Sequence, residues 1–303
     1  MKVGIPTSLL YYRYKYLWIT YFTKLNCKIV KPSPTTIKTI NLGNIYSPDE
    51  TCLPYKIYMG QIYELLDKCN YIVVPRICSY NNKENVCVRF NGLYDNVVNC
   101  FKTNNILTYN IDQKKNKLSY LSFIKMGLKI NKNIFKVINS YIKALIIQKK
   151  YNKNNHNYQE QLLSITNKKV LLVAHPYLIE EPYFSKEIIN YLTNNNITIL
   201  HAYKLHHKIA KKLSLSISPT LYWTYSKELI GAIKYYYEHI DGIIFLTTFP
   251  CGPDSLVNEL MIRKIEDKPT LNLIIDESTS TAGLETRLES FLDIINTKEK
   301  HYE

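Results

Sequence analysis

Short apolar runs that alternate with helical patterns constrain this chain more than any other feature. In the first third, residues 2–5 (KVGI), 27–30 (CKIV), 71–75 (YIVVP) and 106–111 (ILTYNI) read as strands. Between them Leu9, Leu10, Leu17, Trp18, Tyr21, Phe22 and Leu25 recur at helical spacing, and further helices are expected over 53–67 and 93–102. Strands that are apolar throughout and separated by helices belong to a parallel sheet covered on both faces. The last third repeats the theme. Strands are expected at 170–174, 197–200, 241–246 and 270–275, with helices near 184–194, 226–238, 254–265 and 282–296. The expected class is α/β, with two doubly wound (Rossmann-like) parallel-sheet domains.

The middle differs in kind. Residues 113–153 hold eleven Lys and no Asp or Glu, whereas the whole chain carries +14. Ile134, Ile138, Ile142, Leu145 and Ile146 form an apolar stripe there, so helices are expected at about 118–126 and 131–151, followed by a polar linker at 149–156. This predicts an N-terminal domain over 1–112, a basic helical connector over 113–165 and a C-terminal domain over 166–303.

With 46% hydrophobic residues the chain can bury a core, which excludes the disordered class. The charge invites a nucleic-acid reading, but only five residues are Arg (Arg13, Arg76, Arg89, Arg263, Arg287), and base readers lean on bidentate Arg. Nucleic acid is therefore not an expected partner. Lys, Asn, Ile and Tyr share A/T-rich codons, so the Lys block reads first as a solvated face; its functional use would be a dock for an acidic partner or for CoA phosphates. No apolar run reaches the roughly 20 residues of a membrane span. The N-terminus lacks the apolar core of a signal peptide, so no membrane partner and a cytoplasmic location are expected.

Seven Cys at odd, scattered spacing are not a disulfide framework. Ligands of an open parallel sheet gather beyond the carboxyl ends of its strands. By that rule Cys251 is the most informative, because DGIIFLTTFPCGPDSL is a strand, a turn and a helix start, with Asp254 or Ser255 expected as the cap. Cys52 precedes Leu53–Pro54 at another helix start, and Pro suits a first turn. Cys78 and Cys87 share the long loop after the strand at 71–75, whereas Cys27, Cys69 and Cys100 read as interior positions. No C-x-x-C pair of the zinc type is present. Distant single thiols suit an iron–sulfur cluster at a domain interface better, although such clusters usually take four Cys. Ordinary turn cysteines remain the alternative. His175 and Glu277 each follow a strand and are the candidate acid–base groups; a hydrogen-bonded loop role is the competing reading for both. His206 and His207 fall on a Lys-rich stretch expected to be solvated. The phosphate-binding G-x-x-x-x-G-K-[ST], the G-x-G-x-x-G turn, G-x-S-x-G and H-E-x-x-H are all missing.

At these motifs the chain resembles a family. VGIPTSLLYYRYKYLW, DETCLPYKIYMGQIYEL, VPR with VCVRFNGLYD, LLVAHPY, LYWTYSKELIGA, FPCGPDSLVNEL and DESTSTAGLETRLESF run in the order of the acyl-CoA dehydratase activase-related proteins, or CoA protein activases. These are similar to 2-hydroxyacyl-CoA dehydratase subunits of anaerobic metabolism. The likeness spares only about 103–165. It implies two Rossmann-like domains with a [4Fe–4S] cluster between them, and its ligand positions fall on Cys52, Cys87 and Cys251. Cys78 stands where the family has no Cys. The family's C-P-K is here Cys87-Val88-Arg89, its G-L-P-D is Gly92-Leu93-Tyr94-Asp95, and its G-I-P-R is Gly4-Ile5-Pro6-Thr7. The resemblance implies low-potential electron transfer or radical dehydration of an acyl-CoA. An ATP-dependent activase, or a related dehydratase-like subunit, would be the partner. If catalytic, the chain would be a lyase or a component of an ATP-coupled reductase. The alternative is a non-catalytic accessory or scaffold subunit.

Overall fold

The computed structural model describes residues 1–277 and 281–297. Two compact units emerge. The first holds Met1–Tyr151 together with Tyr222–Thr224, and the second holds Asn152–Leu221 and the described residues from Tyr225 onward.

The first unit runs β1 (Lys2–Gly4), α1 (Tyr11–Lys24), β2 (Lys28–Val30), α2 (Ile37–Tyr46), α3 (Leu53–Leu65), β3 (Tyr71–Val73), β4 (Arg76–Ser79), α4 (Val88–Asn91), α5 (Leu93–Phe101), β5 (Ile106–Leu107), β6 (Asn110–Asp112) and α6 (Tyr120–Leu128). Its main sheet is parallel in the order β2-β1-β3-β5. The run expected as one strand at 106–111 divides in two, because β5 continues the main sheet while β6 pairs with β4 in a separate parallel ladder. Tyr109 lies between them, buried, and its hydroxyl accepts the Trp18 indole N–H at 3.0 Å. The core face of α1 presents Leu17, Trp18, Tyr21 and Phe22, the spacing of one buried stripe.

Helix α2 follows two prolines and was not legible as an apolar stripe. It starts with a reciprocal cap, in which the Thr36 and Thr39 hydroxyls each accept the other's backbone N–H at 3.4 Å. It crosses α3 at two glycines. A Cβ on Gly43 would lie 1.9 Å from the Lys56 carbonyl oxygen, and one on Gly60 would lie 2.0 Å from that of Thr39. The two backbones approach this closely only because neither position has a side chain.

α7 (Ile134–Leu163) is one continuous helix, so the linker expected at 149–156 is helical instead. Residues 149–156 contain neither Gly nor Pro, and their three Lys favour a helix. In the first unit the buried Gln148 enters the hydrogen-bond ladder of α1, accepting from Leu17 N at 3.0 Å and donating to Arg13 O at 3.2 Å.

The second unit runs β7 (Lys169–Val173), α8 (Pro176–Ile179), α9 (Pro182–Asn194), β8 (Thr198–His201), α10 (His207–Ser214), α11 (Thr224–Tyr236), β9 (Gly242–Thr248), α12 (Gly252–Ile262), β10 (Thr270–Ile275) and α13 (Thr281–Thr297). Its sheet is parallel in the order β10-β9-β7-β8. All seven residues of β9 are buried, as a central strand covered on both faces requires. The fold is α/β with doubly wound, Rossmann-like parallel sheets, as expected.

Candidate functional site

In the second unit the strand order reverses between β7 and β9, and such a reversal opens a crevice at the carboxyl edge. The chain leaves β7 through Ala174 to His175, which caps α8, and leaves β9 through Phe249–Pro250 to Cys251, which caps α12. The expected caps of α12, Asp254 and Ser255, lie inside the helix instead. Pro253 fits the first turn, which moves the start forward and leaves Cys251 as the half-buried flanking residue.

Asp254 then stands one turn in, buried, and is the centre of a network. Its carboxylate takes a hydrogen bond from His175 Nε2 at 2.9 Å, and Cys251 and Ser226 also bond to it. Burial by itself would raise this carboxyl. The facing His175 and the hydrogen bonds from His175, Cys251 and Ser226 outweigh it and hold the group below its ordinary range. An ionised Asp254 accepts from all three, so the His175 Nε2 carries its hydrogen and the Cys251 S–H points at the carboxylate. Tyr177 stacks on the imidazole at 5.1 Å, and Tyr225 meets it edge-on at 6.1 Å. Sequence reading singled out His175 and Cys251 but treated Asp254 as a cap and passed over Ser226. Asp254 and His175 are 79 residues apart, and only the shared sheet edge joins them. Glu277 is exposed in the turn after β10; the rest of its motif, residues 278–280, lies outside the described residues.

In the first unit the sheet order reverses between β1 and β3. Just past β1, Ser8 Oγ donates to the Pro54 carbonyl at 3.0 Å, which sets the first turn of α3 and its capping residue Cys52 at that carboxyl edge. Cys87 precedes the short α4. The two helix starts meet: the Arg89 guanidinium lies 5.7 Å from the ring of buried Tyr55, whose hydroxyl accepts from Asn96 Nδ2 at 2.7 Å. Cys78 lies on β4 with its thiol on Asn91 Oδ1 at 2.8 Å; burial first, then the nearby Asp112, pushes that thiol upward. Cys27 is buried and Cys69 half-buried, but Cys100 is exposed, contrary to the interior position expected. On α5 the inward face is taken by Leu93 and Val97; Cys100 shares their spacing but stands at the last turn of the helix, where it is exposed.

Iron–sulfur clusters take thiolate ligands, and Cys52, Cys87 and Cys251 are half-buried thiols of that donor chemistry. Among the described residues no three His, Cys, Asp or Glu side chains are already gathered as metal ligands. No helix among the described residues is long and apolar enough to cross a membrane.

Two parallel α/β sheets with thiols at their carboxyl edges define a doubly wound α/β protein with its chemistry-bearing groups at the strand ends. The chain belongs to the family described as CoA enzyme activase uncharacterised domain (DUF2229), whose model matches residues 2–204. That span includes Cys52, Cys87 and His175, while Cys251 and Asp254 lie beyond it. No curated protein matches the chain. A solved structure described as "Crystal structure of ZnuA" aligns over 98% of this chain and 98% of its own, at 11% identity and a TM-score of 0.31, a likeness too slight to carry an argument.

Proposed function

We propose that this protein is an iron–sulfur component of a dehydratase system, working in low-potential electron transfer or radical dehydration of an acyl-CoA. Cys52, Cys87 and Cys251 are its cluster ligands. The observation that supports this reading is positional: each of the three thiols directly precedes a helix at the carboxyl edge of its own parallel sheet. A [4Fe–4S] cluster would supply the one-electron chemistry. The chain's own residues do the rest. Asp254 orients His175 through its hydrogen bond and holds the Cys251 thiol in place until ligation takes its proton, and Tyr177 and Tyr225 hold the imidazole plane. Tyr55 and Asn96 brace the turn beneath Cys52 beside Arg89.

The sequence carries no phosphate-binding loop, so ATP-driven reduction falls to a separate activase protein. The test is to reduce anaerobically reconstituted protein with such an activase, with and without ATP, and follow the visible bleaching of the cluster. ATP-dependent bleaching supports an electron-transfer role. A reconstituted cluster that the activase never reduces leaves the accessory-subunit reading instead.

A further inference from the structure

A second polar cluster lies in the second unit and contains no cysteine. Helix α7 places His156, Gln159 and Glu160 on one face by their spacing of three and four residues. His206 caps α10 and brings its ring 6.4 Å from that of His156, between centroids, while His207 stacks on His206 at 4.7 Å. Helix α11 adds Tyr235 and Tyr236. His206 was expected on a solvated stretch; it is half-buried, because α10 turns it toward α7.

The cluster is short of partners. His156 Nδ1, Gln159 Nε2, Glu160 Oε1 and the Tyr236 hydroxyl are all buried atoms with no hydrogen-bond partner, and Gln159 and Tyr236 are both 0% exposed. Folded proteins leave few such groups unpaired, and a concentration of them marks an occupant such as an ion or water. The spacing discriminates between these. His156 Nδ1 and Glu160 Oε1 are 3.8 Å apart, which is too long for a hydrogen bond. A water about 2.8 Å from each would have to bridge them at an angle of roughly 85°, tighter than its hydrogen bonds prefer. Two ligands at about 2.0–2.2 Å from one metal ion span roughly 3.3–3.8 Å, depending on the angle at the metal. The carboxylate is already held, because Tyr235 donates to Glu160 Oε2 at 3.1 Å, the kind of outer bond that orients a metal ligand. Side-chain exposures of 18% for His156 and 37% for Glu160 leave a way in.

We propose that His156, Glu160 and His206 form a site for a divalent first-row cation of the zinc class, separate from the cysteine ligand set. His156 and Glu160 are preset, and His206 joins by turning its side chain. Imidazole and carboxylate without thiolate suit zinc or its neighbours rather than copper(I) or an iron–sulfur cluster.

The test uses the full chain, freed of metal with a chelator, with Cys52, Cys87 and Cys251 replaced by Ser so that thiols do not compete. Cobalt(II) is the spectroscopic probe. The expected result is one cobalt per chain with ligand-field bands and no sulfur-to-cobalt charge-transfer band. Affinity should fall ~10-fold or more in His156→Ala and in Glu160→Gln. Tyr235→Phe, which leaves all three ligands in place, should weaken binding less and guards against loss of folding in the other variants. Cobalt affinity unchanged in these variants, or no binding at millimolar cobalt, overturns the proposal. Failure here leaves the cysteine reading untouched, because no cysteine is needed for the signal.

Discussion

Replacing His201 with Gln should make the protein markedly more tolerant of acid. His201 ends β8, where its backbone N–H donates to Gln159 Oε1 at 2.6 Å. Its Nδ1 is shielded from solvent without a hydrogen-bond partner. Burial first, and the nearby Lys204 second, push the imidazole from its ordinary 6.5 down to about 3. The folded value lies below the unfolded one, so between the two the unfolded chain binds the extra proton. Stability is therefore complete above about pH 6.5 and drains away as the pH falls toward 3. At about pH 4.5 the unfolded group is protonated over two pH units in which the folded group is not. At 1.36 kcal/mol per unit the loss is about 2–3 kcal/mol, a large share of the roughly 5–15 kcal/mol of a typical domain. Urea denaturation in chelator, at neutral pH and at about pH 4.5, reads this as a double difference. The wild type should lose about 2–3 kcal/mol more than His201→Gln across that interval. All other titrating groups are shared by the two proteins and cancel. Equal losses in the two proteins would refute the reasoning.

Other outcomes follow from the same geometry. Gly60→Ala should drive a methyl group into the Thr39 carbonyl of α2. The cost is about 1–3 kcal/mol and lowers the melting temperature by roughly 2–12 °C in calorimetry; an unchanged melting temperature would mean that α2 and α3 are not in backbone contact. Asp254→Ala strips a buried acceptor from His175, Cys251 and Ser226 and should cost about 3–5 kcal/mol in chemical denaturation. The Asp254 carboxyl is held below its ordinary range, so its contribution is present above the unfolded pKa and lost as pH falls through the folded one. The gap between wild type and Asp254→Asn should accordingly narrow in acid, and a gap that widens would contradict the network.

The apolar runs carried most of the fold. Each of β1, β2, β3, β7, β8, β9 and β10 lies within a residue or two of its expected place, because each is a short apolar run set off by helical or turn segments. What escaped depended on less local physics. α2 owes its start to a Thr–Thr cap and its packing to glycines, neither of which makes an apolar stripe. At the split in the 106–111 run stands Tyr109, whose hydroxyl serves Trp18, a partner 91 residues away. The same divide runs through the candidate site. Cys52, Cys87, Cys251 and His175 stand next to turn and helix-start signals readable in the chain. Asp254 and Ser226 acquire meaning only when β7, α11 and α12 bring them together. The His156–Glu160 pair did carry a local mark, the four-residue spacing on a helix, but it straddles the end of the stretch read as linker, 149–156.

The most direct measurement is iron and acid-labile sulfide content after anaerobic reconstitution, taken in parallel on four proteins: the wild type, Cys52→Ser, Cys251→Ser and Cys78→Ser. The account predicts a cluster-level complement of about four iron and four sulfide per chain in the wild type and in Cys78→Ser, with clear loss in the other two. A wild type that takes up no cluster, or equal loading of all four proteins, would contradict it.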